Sequence, residues 1–143
     1  MPKFILLLIL LLTLNACSGG RAIREVGVIS RYGEAEEVII VPDAVKFGQM
    51  FTVAVRTYGD GCVEAADMEV TVEGNLAVLT PYDFVSIPGR NEACPSIERR
   101  PEHTAQVVFE APGSATLRVE GMLEDNANPD GIMTTIEKTI AVE

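Results

Sequence analysis

Apolar and polar residues alternate along most of this chain. Phe51, Val53 and Val55 are interleaved with Thr52, Ala54 and Arg56, and Met68, Val70 and Val72 with Glu69, Thr71 and Glu73. The same holds for Ala105, Val107 and Phe109, and again for Ala115, Leu117 and Val119. A period of two places one member of each pair on a core-facing side of a strand and the other toward water. Residues 26–31, 38–41, 76–80 and 132–142 predict further strands from their β-branched content. No stretch of about ten residues keeps the helical period. Turn clusters punctuate the runs: Lys46-Phe47-Gly48-Gln49, Glu73-Gly74-Asn75 and Ala111-Pro112-Gly113-Ser114. The last predicts a hairpin. Seven to eight strands at this spacing predict an all-β fold, an antiparallel two-sheet sandwich.

The N-terminus breaks the pattern. After Lys3, residues 4–12 are continuously apolar, and the 11 residues of 4–14 fall short of the roughly 20 a membrane-spanning helix needs. A positive residue, a short apolar stretch and a small residue before the cut predict a signal peptide over 1–16. The run ends Leu14-Asn15-Ala16-Cys17, which resembles the lipobox of bacterial lipoproteins. The resemblance implies a diacylglyceryl thioether on Cys17 as the first mature residue and a further acyl chain on its amine. Several chains hold a protein firmly to a membrane where one does not. Ser18 at the second mature position implies the outer membrane. Residues 17–24 then form the lipidated cysteine and a short tether, and 25–143 the domain.

Charge narrows the partners. Without the signal the chain keeps 10 Lys+Arg against 21 Asp+Glu, a formal charge of −11. Such a surface repels nucleic acid and bare anionic lipid. No nucleic-acid partner is expected; the membrane, through its lipid anchor, and an envelope protein are. Pro42-Asp43-Ala44-Val45 through Phe51-Thr52-Val53-Ala54-Val55 resembles the opening strands of bacterial immunoglobulin-like domains. Ala111-Pro112-Gly113-Ser114-Ala115-Thr116-Leu117-Arg118-Val119 is similar to a late hairpin of the same domains. That resemblance implies an immunoglobulin-like sandwich and carries no catalytic residue across.

With Cys17 taken by lipid, Cys62 and Cys94 are left as a pair in an oxidising compartment, and a disulfide is expected. A metal site from Cys62, Cys94 and His103 is the alternative, though no C-x-x-C is present. Cys62 follows Gly59-Asp60-Gly61, so the bond would pin loops at one end of the sandwich.

Three further constellations bear on chemistry. Asn126, Asn128, Asp130 and Glu137 fit a loosened calcium-loop spacing, in which alternate oxygen side chains face one cation. Asn, Pro, Asp and Gly are also what a plain hairpin loop uses. His103 with Met50, Met68, Met122 and Met133 would suit copper, although scattered methionines also fill cores. His103 has no nucleophile motif beside it. The remaining segment, 87–101, carries Arg90, Glu92, Glu98, Arg99 and Arg100 around Cys94, with Tyr58, Tyr82 and Phe84 expected nearby. It reads equally as a contact surface or as a stapled connector. The expected function is a non-enzymatic envelope module without a cofactor that contacts a protein or ligand through end loops. A metal-dependent binder is the alternative.

Overall fold

The computed structural model describes residues 20–33, 37–90 and 92–143, and the period-two runs become strands in it. In chain order these are β1 (Arg21–Val26), β2 (Val28–Arg31), β3 (Ile39–Ile40), β4 (Ala44–Val45) and β5 (Phe51–Arg56). They continue with β6 (Val63–Glu73), β7 (Leu76–Ile87), β8 (Glu102–Val107), β9 (Gly113–Glu124) and β10 (Ile132–Val142). Strands β3, β5 and β8 form a three-stranded sheet, and the other seven form its partner. The signal peptide and the lipidation site Cys17 lie outside the described residues.

The all-β, two-sheet expectation matches, and two details do not. Among the described residues there are ten strands, where seven to eight were expected. The larger sheet is also not purely antiparallel: β4 runs parallel to β10, and both β2 and β7 run parallel to β9. Alternation reports which face a residue takes. It is silent on the direction of the neighbouring strand.

The turn over Gly74 and Asn75 closes β6 onto β7 at Glu73↔Leu76, with Gly74 at φ +57°. Positive φ at the first central residue is the type II′ arrangement that suits hairpin twist. Pro112-Gly113, by contrast, makes no hairpin. β8 lies in the small sheet and β9 in the large one, so this link crosses between them. Its flanking runs both point inward, from opposite sides of the core, which mimics a hairpin's pattern.

That core is apolar and dry. Val53, Val55, Val107 and Phe109 meet Ala77, Leu79, Ala115, Leu117, Val119 and Ile140, all buried. Phe51 and Phe109 pack with ring centroids 5.7 Å apart. Each fully buried aliphatic side chain contributes roughly 1.5–3 kcal/mol.

The topology is unusual at one end. β7 and β9 pair directly only from Leu76↔Thr116 to Leu79↔Val119, then diverge. Into the gap goes the N-terminal segment. β1 runs down along β7 from Arg21↔Ile87 to Val26↔Tyr82, the chain reverses at Gly27, and β2 climbs beside β9 to Arg31↔Glu124. Gly27 bridges the fork: its N–H donates to Pro81 O at 2.9 Å, and its carbonyl accepts from Met122 N at 2.9 Å. Pro81 has no N–H to offer. It sits where β6 bulges, between Ala65 and Met68, and where β7 changes neighbours on the other side. Residues 21–24, assigned to the tether from sequence, are therefore strand, because β7 pairs with their backbone.

Candidate functional site

Chemistry-bearing residues converge at the fork. Along β7 the inward positions Ala77, Leu79 and Pro81 are followed by Asp83, a carboxylate aimed into the sandwich and only 3% exposed. Thr57, just past β5, and His103 on β8 reach it from the facing sheet; both are buried. The Thr57 hydroxyl donates to Asp83 Oδ1 at 3.1 Å. His103 Nε2 stands 3.0 Å from the same oxygen and 3.3 Å from Thr57 Oγ1. Facing a carboxylate, Nε2 is the nitrogen that carries the proton.

A hydroxyl, an imidazole and a carboxylate invite comparison with a nucleophile triad, but the wiring differs. A relay needs the hydroxyl on one ring nitrogen and the carboxylate on the other. Here both converge on Nε2, and Nδ1 is buried with no hydrogen-bond partner. The threonine donates to the acid, not to the base. Gly27 packs over the group: a Cβ there would collide with Thr57 Cγ2 and stand 2.9 Å from Asp83 Oδ2. The arrangement is a closed polar joint between the two sheets.

Above it, between the arms of the fork, lies a cavity of about 220 Å³ with Asp83 in its wall. Glu25, Asp60, Glu124, Arg31 and Tyr58 also line it, and Arg31 pairs with Glu124 at 2.9 Å. The Tyr58 ring is buried, with the Arg100 guanidinium 3.7 Å from its centroid and that of Arg31 at 5.9 Å. Contacts of this kind are worth up to about 2 kcal/mol when desolvated.

The segment after β7 is tied to this end. The β5–β8 ladder, Phe51↔Val107 through Arg56↔Glu102, continues in register to a bridge between Gly59 and Arg99. Thr57 N donates to Pro101 O, Gly61 N to Pro95 O, and Arg100 Nε to Thr57 O. The Cys62–Cys94 disulfide, with Cα atoms 5.3 Å apart, closes the ribbon. It joins the β5-to-β6 crossover to the β7-to-β8 crossover. Closing a loop with a sequence separation of 32 stabilises by about 3–4 kcal/mol in the chain-entropy picture. Asp60 Oδ1 accepts from Cys62 N at 2.8 Å, and its carboxylate and the two sulfurs lie within 4.8 Å of one another.

The other sequence candidates are dispersed. Arg90, Glu98 and Arg99 are exposed on the stapled segment, and Arg99 with Arg100 lines an open groove of about 370 Å³. Tyr82, expected beside Tyr58, takes the outer face of β7, since neighbouring residues of a strand point opposite ways. There it lies 3.3 Å beneath Arg24. The calcium set is not brought together. Asn126, Asn128 and Asp130 sit in the β9–β10 loop, whereas Glu137 lies midway along β10 and accepts from Arg118 Nε at 2.7 Å. Asp125 organises that loop, accepting from Ala127 N and Asn128 N. The copper set is scattered too: His103 is taken by Thr57 and Asp83, Met50 is exposed in the Lys46–Met50 turn, and Met122 pairs with Met133 across β9–β10.

Sequence reasoning missed Gly27, Thr57, Asp83 and the Arg24–Asp67 pair. Asp83 was findable, because it continues the inward parity of Ala77 and Leu79. Arg24 binds Asp67 through Nε at 2.7 Å and Nη2 at 2.8 Å, and Glu69 at 3.1 Å. The hydrogen bonds Arg24 donates hold the Asp67 carboxyl down at about 2, and the same bonds push the guanidinium further up. Comparisons with protein-family models, curated proteins and solved structures return no match.

Proposed function

We propose that this chain is an exported, lipid-anchored, non-enzymatic module of the bacterial outer membrane. In this reading it is built as an immunoglobulin-like sandwich, and its stapled end loops are its contact surface. One observation carries the reading. The first strand enters the fold beside the Cys62–Cys94 bond, since Arg21 pairs with Ile87 and Ser86 N donates to Cys62 O. A structural disulfide suits an oxidising compartment, and the chain arrives there from the lipobox-like Cys17. The buried Thr57–Asp83–His103 joint, which lacks the wiring of a nucleophile relay, supports a structural role for this constellation. Crossovers between two facing sheets support the immunoglobulin-like assignment.

Intact-mass spectrometry of the protein extracted from membranes tests the reading, together with non-reducing peptide mapping. The expected chain starts at Cys17, carries the acyl mass and has Cys62 linked to Cys94. A chain starting at Met1, or an unmodified Cys17, overturns it.

A second reading has one observation in its favour, the proximity of Asp60, Cys62 and Cys94. Thiolates are the metal-binding form of cysteine, so the site would exist only in the reduced protein. It predicts a rise in melting temperature with zinc or Cu(I) after reduction and none before. No rise in the reduced protein removes it.

A further inference from the structure

We infer that the partner of the stapled end is the lipid surface itself: this end faces the headgroups and the Lys46–Met50 turn points away. The inference rests on the anchored reading above and adds an orientation to it. A Cβ on Gly20 would stand 3.6 Å from Ile87 O, so the chain enters the fold at the rim carrying Ile87, Ser86 and the disulfide. From Cys17 to Gly20 are three peptide steps, at most about 10 Å. The 12 residues of β7 extend the body by roughly 40 Å. Lipids on Cys17 therefore hold the stapled end against the bilayer. The opposite end, where Phe47 N bonds Glu143 O and Gly48 N bonds Phe109 O, stands clear unless the body lies flat. The excess of acidic residues opposes lying flat on an anionic surface.

The Lys46–Met50 turn also exposes Phe47 and Met50, so the tether sets the polarity and the side chains of the stapled end supply the contact. Ile87 and Ile97 are 48% and 57% exposed at the stapled end, with the exposed Arg21, Arg90 and Arg99 beside them. Short apolar side chains enter the headgroup boundary while guanidinium groups meet phosphate oxygens. Glu92 and Glu98 share the same segment, so the surface is not strongly basic. Its lipid contact comes from the high local concentration the tether imposes, and the unlipidated body does not bind.

The test uses the lipidated chain in phosphatidylethanolamine/phosphatidylglycerol vesicles carrying a nitroxide-headgroup lipid. A fluorophore is placed at Ile97→Cys in one sample and at Gln49→Cys in another, with the native disulfide intact. Quenching at position 97 is expected to exceed that at 49 by at least about threefold, given the ~40 Å between the ends. A Cys17→Ser chain is expected to remain in the supernatant. Vesicle-bound protein with equal quenching at both positions, or more at 49, overturns the orientation. Pelleting of the Cys17→Ser chain overturns the tether as its source. A wild-type chain that does not pellet overturns the anchored reading instead.

Discussion

Two polar networks of similar make-up sit on opposite faces of β7. Thr57, Asp83 and His103 occupy its inner face in a buried joint, and Arg24, Asp67, Glu69 and Tyr82 its more exposed outer face. The inner network has the longer contacts, 3.0–3.3 Å against 2.7–3.1 Å for the hydrogen bonds Arg24 makes outside. Contact length is nevertheless a poor guide to which matters more. A buried polar group deprived of its partner has no water to turn to, whereas an exposed one rehydrates. The inner group should therefore behave as a keystone and the outer one as a local clasp on the β6 bulge.

Substitutions separate the two. His103→Ala leaves Asp83 with one partner in a closed site and is expected to cost about 3 kcal/mol by urea denaturation. A loss below about 1 kcal/mol would mean that water enters the joint. Gly27→Ala should cost about 2 kcal/mol, because the new methyl group collides with Thr57 and Asp83 and the fork must open. Thr57→Val keeps the shape and removes one hydroxyl, so about 1 kcal/mol is expected.

Arg24→Ala is the smallest change. At high salt most of its ion-pair cost should disappear, since exposed pairs are screened, leaving the lost packing on Tyr82. At low salt the pair also makes a pH prediction. Asp67 is held at about 2, below its ordinary 3.8, so its contribution is complete above the ordinary value and fades as pH falls through the lowered one. The gap between wild type and Arg24→Ala should narrow between pH 5 and 2. A gap that widens on acidification would contradict the assignment.

The contrast also explains what the sequence could reveal. Alternation located the core strands, because Val53, Val55, Leu117 and Val119 need only a face to be recognised. Glu73-Gly74-Asn75 marked its turn because its glycine serves a local backbone geometry. Pro112-Gly113 misled, because an inter-sheet crossover and a hairpin both leave their flanking apolar residues pointing inward. The parallel pairings and the fork depend on contacts between residues far apart in the chain, and no local pattern encodes them. Asp83 continues the inward parity of Ala77 and Leu79, but its partners Thr57 and His103 come from the other sheet and leave no local trace. The 87–101 segment carried little strand signal because its hydrogen bonds to 57–61 run mostly through backbone groups, on which composition has no bearing.

The account depends most on the fork end being a rigid, stapled joint. Native-state hydrogen exchange reads that directly. The amides of Gly27, Thr57, Tyr58 and Gly59, which donate to Pro81, Pro101, Val28 and Arg99, should exchange as slowly as those of Val53 and Val119 in the core. Exchange at those four positions as fast as that of amides with no hydrogen bond would contradict it.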